Sequence, residues 1–213
     1  AYKYNYDLSN SQSAFFDIIV EEKAILQHII NIAVLTANKT LFNDFFPKLN
    51  LLDIETNWKN LFVLFNSIFN NIPISEILIK EINSYVKREY LDSILLLLGL
   101  YENVSLRIKI LNKLEENYKS SQLYLMLAES YLALDNIEKG VENFEKSYNI
   151  DKNNPNTINS LIILYFKLNE LKKLNNLLNE AVEIFKNEPE IYNKIMQLKA
   201  KLSNLINKNA NRL

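Results

Sequence analysis

The sequence predicts an all-α protein, and two observations lead to this prediction. Only two of its 213 residues are glycine and four are proline. A sheet protein of this length needs many tight turns, which favour glycine and proline, so their scarcity indicates long helices joined by short loops. Apolar residues also recur at helical spacing, most regularly at Ile74, Leu78, Ile82 and Val86.

Composition and charge narrow the classes of function. Hydrophobic residues make up 48% of the chain and charged residues 23%, a balance typical of a globular protein. The formal net charge is −1 and no basic stripe is present, which argues against nucleic-acid binding. Cysteine is absent, so disulfides, thiolate metal sites and a cysteine nucleophile are excluded. The most apolar stretch, 24–35, is too short to span a bilayer.

The first part of the chain, 1–86, is predicted to form an N-terminal helical domain. Residues 1–12 are expected to be a tail, and Ser13 is suited to cap a helix that runs to about Ala37. This helix is apolar over more than one face, which is typical of a helix at the centre of a bundle. A second helix is expected over 57–69.

Helices are predicted to continue through a second domain over 87–213. Just before it, Pro73 is suited to the first turn of a helix, where its missing N–H is harmless. Further helices are expected over 90–101 and 105–118, and no Gly/Ser-rich linker separates the two domains.

An internal repeat begins at Ser121. The segment 121–154 reads SQLYLMLAESYLALDNIEKGVENFEKSYNIDKNN, and the segment 155–188 follows with the same length. In the first segment, small residues at Ala128 and Gly140 allow two helices to approach closely, and a tight turn is expected at Leu134-Asp135-Asn136. In the second, Ile162 and Leu174 replace those small residues. A capping helix is predicted over 189–207, because terminal repeats need a polar outer face.

The two segments resemble tetratricopeptide repeats (TPR), a family whose repeating unit is about 34 residues long. In the first, Tyr124, Leu127–Ala128, Tyr131, Gly140 and Phe144 stand at the family's characteristic places. The resemblance implies antiparallel helical hairpins stacked into an α-solenoid. It covers about a third of the chain strongly and fades upstream.

By this resemblance, the first helix of each hairpin lines a groove that binds protein partners. Leu125 and Glu129 occupy the places where some relatives hold a partner's terminal carboxylate with Lys and Asn, so that mode of binding is not expected. The apolar groove residues instead suit an apolar helix or peptide of a partner, although this chain's own N-terminal helices could cover them. The expected protein-binding residues are Gln122, Leu125, Glu129, Leu132, Asn159, Ile163, Phe166 and Lys167.

The sequence therefore predicts a non-catalytic scaffold or adaptor that binds, and helps to stabilise, another protein. The alternative is a self-associating structural helical-repeat protein, a homo-oligomer. No catalytic residue, cofactor or metal site is expected, because the only histidine, His28, lacks convergent partners. Trp58, the single tryptophan, is interpreted as a core residue rather than a binding anchor.

The abundance of Asn, Lys and Ile resembles the composition of a Borrelia-like spirochaetal protein. That resemblance implies a bacterial protein associated with the cell envelope, in the periplasm, and supporting infection; a cytoplasmic location is the alternative. The chain begins at Ala1, which leaves room for a signal or membrane anchor upstream.

Overall fold

The computed structural model of the protein describes residues 24–49 and 55–210. Every regular element within these ranges is helical, so the all-α prediction is confirmed. The first helix, α1, is described over 24–35. The predictions for the tail and for a helix start at Ser13 lie outside the described residues. The other helices are α2 (Lys39–Leu49), α3 (Thr56–Phe69), α4 (Glu76–Lys80), α5 (Ile82–Tyr85), a short 3-10 helix (Arg88–Tyr90), α6 (Leu91–Leu100), α7 (Val104–Glu115), α8 (Ser121–Ala133), α9 (Ile137–Ile150), α10 (Pro155–Lys167), α11 (Leu171–Ile184) and α12 (Pro189–Ala210).

The chain divides into two compact units, and the division falls after Asn117. The sequence predicts a boundary after residue 86 instead. The structure places α6 and α7 in the first unit because α6 packs on α3, while α7 packs on α4 and α5. The core of this unit contains the fully buried side chains Phe42, Phe62, Phe65, Ile82 and Ile94.

The helix expected after Pro73 is present as two short helices. Ser75 Oγ accepts a hydrogen bond from the backbone N–H of Leu78, so α4 starts after Ser75 rather than at the proline. The helix is interrupted at Glu81, which ends α4 and precedes α5. The apolar stripe is nevertheless buried as predicted, since Ile74, Leu78, Ile82 and Val86 are all at most 8% exposed.

The second unit, from Tyr118 onward, contains α8 to α12. Both prolines stand where the sequence places them, Pro155 at the start of α10 and Pro189 at the start of α12. The side chain of Asn154 caps α10, and that of Ser120, at the equivalent place before the preceding hairpin, caps α8. A single apolar core, which includes Phe144 and Leu161, connects these helices.

A left-handed turn recurs along the chain with the same hydrogen bonds each time. Ala37, Asn71, Asp135 and Asn169 have φ values of 49°, 52°, 57° and 58°. At each turn, the backbone N–H of this residue donates to the carbonyl three residues back. The next N–H donates to the carbonyl five residues before it. This is the Schellman pattern, which satisfies the last carbonyls of a helix. Within each pair, 37 to 71 and 135 to 169, the spacing equals the length of the sequence repeat.

A cation–π contact recurs at the same spacing in the second unit. Lys139 Nζ lies 5.2 Å from the centre of the Tyr131 ring, and Lys173 Nζ lies 5.5 Å from that of Tyr165. The hairpins α8–α9 and α10–α11 thus share a helix cap, a turn and a Tyr–Lys pair at equivalent positions. They differ where the helices cross.

Candidate functional site: an apolar cleft in the second unit

The crossing of α8 and α9 is tight. A Cβ atom added to Gly140 would lie 2.6 Å from Leu132 Cδ2, closer than a real side chain tolerates, and 3.5 Å from the Ala128 carbonyl oxygen. Ala128 itself is completely buried. The two small residues thus let α8 and α9 pack closely along their length.

The crossing of α10 and α11 carries larger side chains at the equivalent places. Ile162 and Leu174 stand one repeat length after Ala128 and Gly140. Leu174 is 3% exposed and Ile162 is half-buried against the core. The backbones of α10 and α11 are in close contact over less of their length than those of α8 and α9, as expected when bulkier residues separate two helices.

An apolar cleft lies beside this second crossing. Its volume is about 320 Å³, and Leu174, Leu178 and Leu202, each at most 3% exposed, form its floor. The rim consists of the exposed apolar side chains of Ile163, Phe166 and Leu198. Its lining residues, contributed by α10, α11 and α12, are Ile162, Ile163, Phe166, Leu174, Leu178, Leu198, Lys201 and Leu202.

The structure brings only two of the predicted binding residues into this cleft. Ile163 and Phe166 line it and are 46% and 55% exposed. Asn159 and Lys167, also on α10, are exposed but are not among the lining residues.

The predicted binding residues on α8 do not form an open apolar surface. Leu125 is only 6% exposed and belongs to the core, so it is not available to a partner in this structure. Leu132 is half-buried and packs over Gly140. Gln122 and Glu129 are exposed.

Sequence reasoning missed the residues that α11 and α12 contribute to the cleft. Leu178, Leu198 and Leu202 appear in the sequence as ordinary members of amphipathic helices, and Lys201 as a solvent-facing residue. The available signal was the replacement of two small residues by Ile162 and Leu174, because bulk at a helix crossing must be accommodated by separation.

Two polar clusters connect α9 to helices that form the cleft. Glu145 Oε1 on α9 accepts hydrogen bonds from the Tyr165 hydroxyl on α10, at 2.8 Å, and from Lys173 Nζ on α11, at 3.0 Å. Burial, reinforced by the carboxylate of Glu145, raises the pKa of the Tyr165 hydroxyl, which stays protonated and donating. The same carboxylate raises the pKa of Lys173. One carboxylate therefore connects three helices, two of which form the cleft.

The second cluster is centred on Glu180 of α11. Its Oε2 accepts hydrogen bonds from Lys152 Nζ and from the Tyr148 hydroxyl, both at 2.9 Å. The lysine and the hydroxyl lower the pKa of the Glu180 carboxyl. Tyr148 lies on α9, so this cluster also connects α9 to α11.

The structure also describes His28 and Trp58, the two other residues that the sequence singles out. His28 is exposed on α1, and no cluster of three or more His, Cys, Asp or Glu side chains suited to a metal occurs among the described residues. Trp58 is half-buried, and its ring contacts those of Phe62 and Tyr90 at 5.4 and 5.2 Å between centres. None of the described helices has the length and apolar character required to cross a membrane.

No protein-family model matches the chain, and a search of curated proteins finds no significant match.

Proposed function

We propose that this protein is a non-catalytic scaffold or adaptor that binds an apolar helix or peptide of a protein partner, with the cleft between α10 and α12 as its binding surface. The observation that supports this proposal is the exposed apolar rim at Ile163, Phe166 and Leu198. Apolar side chains gathered at one concave place are typical of interaction surfaces. The resemblance of the hairpins to TPR supports the same function.

The geometry suits an amphipathic helix. Ile163 and Phe166 are three residues apart on α10, and Leu198 stands on α12, so the apolar rim comes from two helices. A helix lying along the cleft would bury this rim against its own apolar face. The floor residues Leu174 and Leu178 would then receive one or two large side chains as anchors.

The test is affinity capture from a native lysate, comparing three forms of the full chain. The double variant Ile163→Glu, Phe166→Glu places charges on the rim without touching the floor. Ile150→Glu is the matched control, since Ile150 is 50% exposed but lies outside the cleft. We expect proteins bound by the wild type and by the control to be lost from the double variant. Retention of every partner by the double variant would refute the cleft as the binding surface.

Self-association is the alternative function, and the first unit carries an observation in its favour. Ile32 and Leu35 on α1 and Leu96 and Leu100 on α6 are between 49% and 61% exposed. Apolar side chains of this kind are buried when subunits associate. Sedimentation of the purified chain decides the matter: a concentration-dependent dimer favours self-association, and a monomer at all concentrations favours the adaptor.

The cellular setting stays a prediction from composition. Association with the cell envelope of a bacterium and a role in infection follow from the compositional resemblance alone, and fractionation of the source cells would test the first of them.

A further inference from the structure

The cleft has the dimensions of a small-molecule site. Its volume of about 320 Å³ is at the lower end of the range for ligand pockets, roughly 300–1,000 Å³. The cleft has a floor as well as a rim, because Leu174, Leu178 and Leu202 are almost completely buried while Ile163, Phe166 and Leu198 are exposed. A slender apolar ligand would therefore be enclosed on more than one side.

The lining of the cleft specifies the chemistry of such a ligand. Seven of the eight lining residues are apolar, which favours an alkyl chain. The eighth is Lys201, which is exposed and has no ion-pair partner among the described residues. No acidic residue lines the cleft. A ligand with an apolar tail and one negative charge at its end would match both features.

We infer that the cleft between α10 and α12 binds a free fatty acid, with the alkyl chain on Leu174, Leu178 and Leu202 and the carboxylate beside the Lys201 ammonium. A lysine can lay its aliphatic stem on apolar surface while its charged end stays in water, and Lys201 is exposed, so the carboxylate would sit at the mouth of the cleft. The contribution of the apolar lining is expected to exceed that of this solvent-exposed ion pair.

The inference goes beyond the proposed function and can be judged separately from it. Ile163 and Phe166 form part of the rim in both cases, so a fatty acid and a partner helix would compete for the cleft. A test with purified protein and fatty acid involves no partner. Its failure would leave the adaptor proposal standing, and failure of the capture experiment would leave the fatty-acid site standing.

The experiment is calorimetric titration of the full chain with hexanoate, octanoate and decanoate, each below its micelle concentration. Each added methylene is expected to raise the affinity about fourfold until the cavity is full. Lys201→Gln is expected to weaken decanoate about two- to fivefold while leaving decanol unchanged, because only the acid carries the charge. Lys194→Gln, an exposed lysine of the same helix outside the cleft, is the control.

A second pair of variants separates the cleft from general apolar adsorption. Leu198 and Met196 both lie on α12 and are both 40% exposed, but only Leu198 lines the cleft. Leu198→Glu places a carboxylate at the mouth and is expected to abolish decanoate binding, whereas Met196→Glu is expected to retain it. Equal binding by the two variants, or an affinity independent of chain length, would overturn the inference. Circular dichroism of each variant confirms that it is folded.

Discussion

The left-handed turn at Asn169 allows a sharp test of the fold in the second unit. Asn169 has φ of 58°, and its backbone N–H donates to the Phe166 carbonyl at 3.2 Å. The next N–H, that of Glu170, donates to the Tyr165 carbonyl at 2.8 Å. The turn thus ends α10, the helix that carries Ile163 and Phe166 of the cleft's rim. Asparagine tolerates this conformation better than most residues, whereas a β-branched residue is strained there.

The expected loss of stability on substitution of Asn169 follows from its left-handed backbone conformation. An ordinary L-residue in the left-handed region costs roughly 1–2 kcal/mol, and asparagine costs less because its short side chain bonds locally. Asn169→Val should therefore lower the free energy of unfolding by about 1–2 kcal/mol. Asn169→Gly should be nearly neutral, because the relief of strain is offset by the greater entropy of glycine in the unfolded chain.

Urea denaturation followed by circular dichroism measures this difference. With a urea dependence of about 2 kcal/mol per molar, the midpoint of Asn169→Val should fall by roughly 0.5–1 M. Asn153→Val is the matched control, since Asn153 lies in an exposed turn and its φ is not positive. Equal midpoints for Asn169→Val and Asn169→Gly would refute the left-handed turn and, with it, the end of α10.

Three further predictions concern packing and charge in the same unit. Ala128→Leu should destabilise by about 1–3 kcal/mol, because the side chain is completely buried at a tight helix crossing; an unchanged thermal midpoint would contradict this. Phe144→Ala should lower the free energy of unfolding by about 3–5 kcal/mol, since the ring is 1% exposed in the core, and urea denaturation measures the loss. The pKa of Glu180 is held below its ordinary 4.5, so its contribution is complete above that value and is lost as the pH falls through the folded-state pKa. Glu180→Gln should therefore show a smaller loss of stability than wild type between about pH 6 and pH 3, and identical pH profiles would contradict the assignment.

Sequence reasoning locates the helical hairpins of the second unit correctly because their signals are local. Asp135 and Asn136 follow an apolar run and are followed by an amphipathic one, which specifies a turn and a cap. In the structure Asp135 adopts the left-handed conformation, and the Asn136 side chain accepts a hydrogen bond from the Lys139 N–H. Asn103, directly before Val104, and Asn169, two residues before Leu171, mark the starts of α7 and α11 in the same way.

The position of Leu125 within its repeat does not predict that its side chain is buried. Position alone places Leu125 on the groove face. The segment 123–128 is apolar on every side, however, and all six of its residues are buried. A helix apolar all round is surrounded by protein, so this local composition was a better guide than the pattern of the resembling family.

Both the end of the first unit and the cleft depend on contacts between helices, which the sequence of a single helix does not reveal. α6 and α7 are joined by three residues, as α8 and α9 are, and only their contacts with α3, α4 and α5 assign them to the first unit. The cleft likewise depends on the separation of α10 and α11 by Ile162 and Leu174. The sequence reveals the two replacements but not the space beside them.

An open binding surface requires that the rim of the cleft be exposed in solution, and methyl NMR with a soluble paramagnetic agent measures this exposure. Ile163 is 46% exposed, while Ile158 on the same helix is 3% exposed. We expect the agent to broaden the Ile163 methyl signal strongly and to leave that of Ile158 sharp. If Ile163 were as protected as Ile158 in the isolated full chain, the rim would already be covered by this chain or by another copy of it. An open binding surface would then be contradicted.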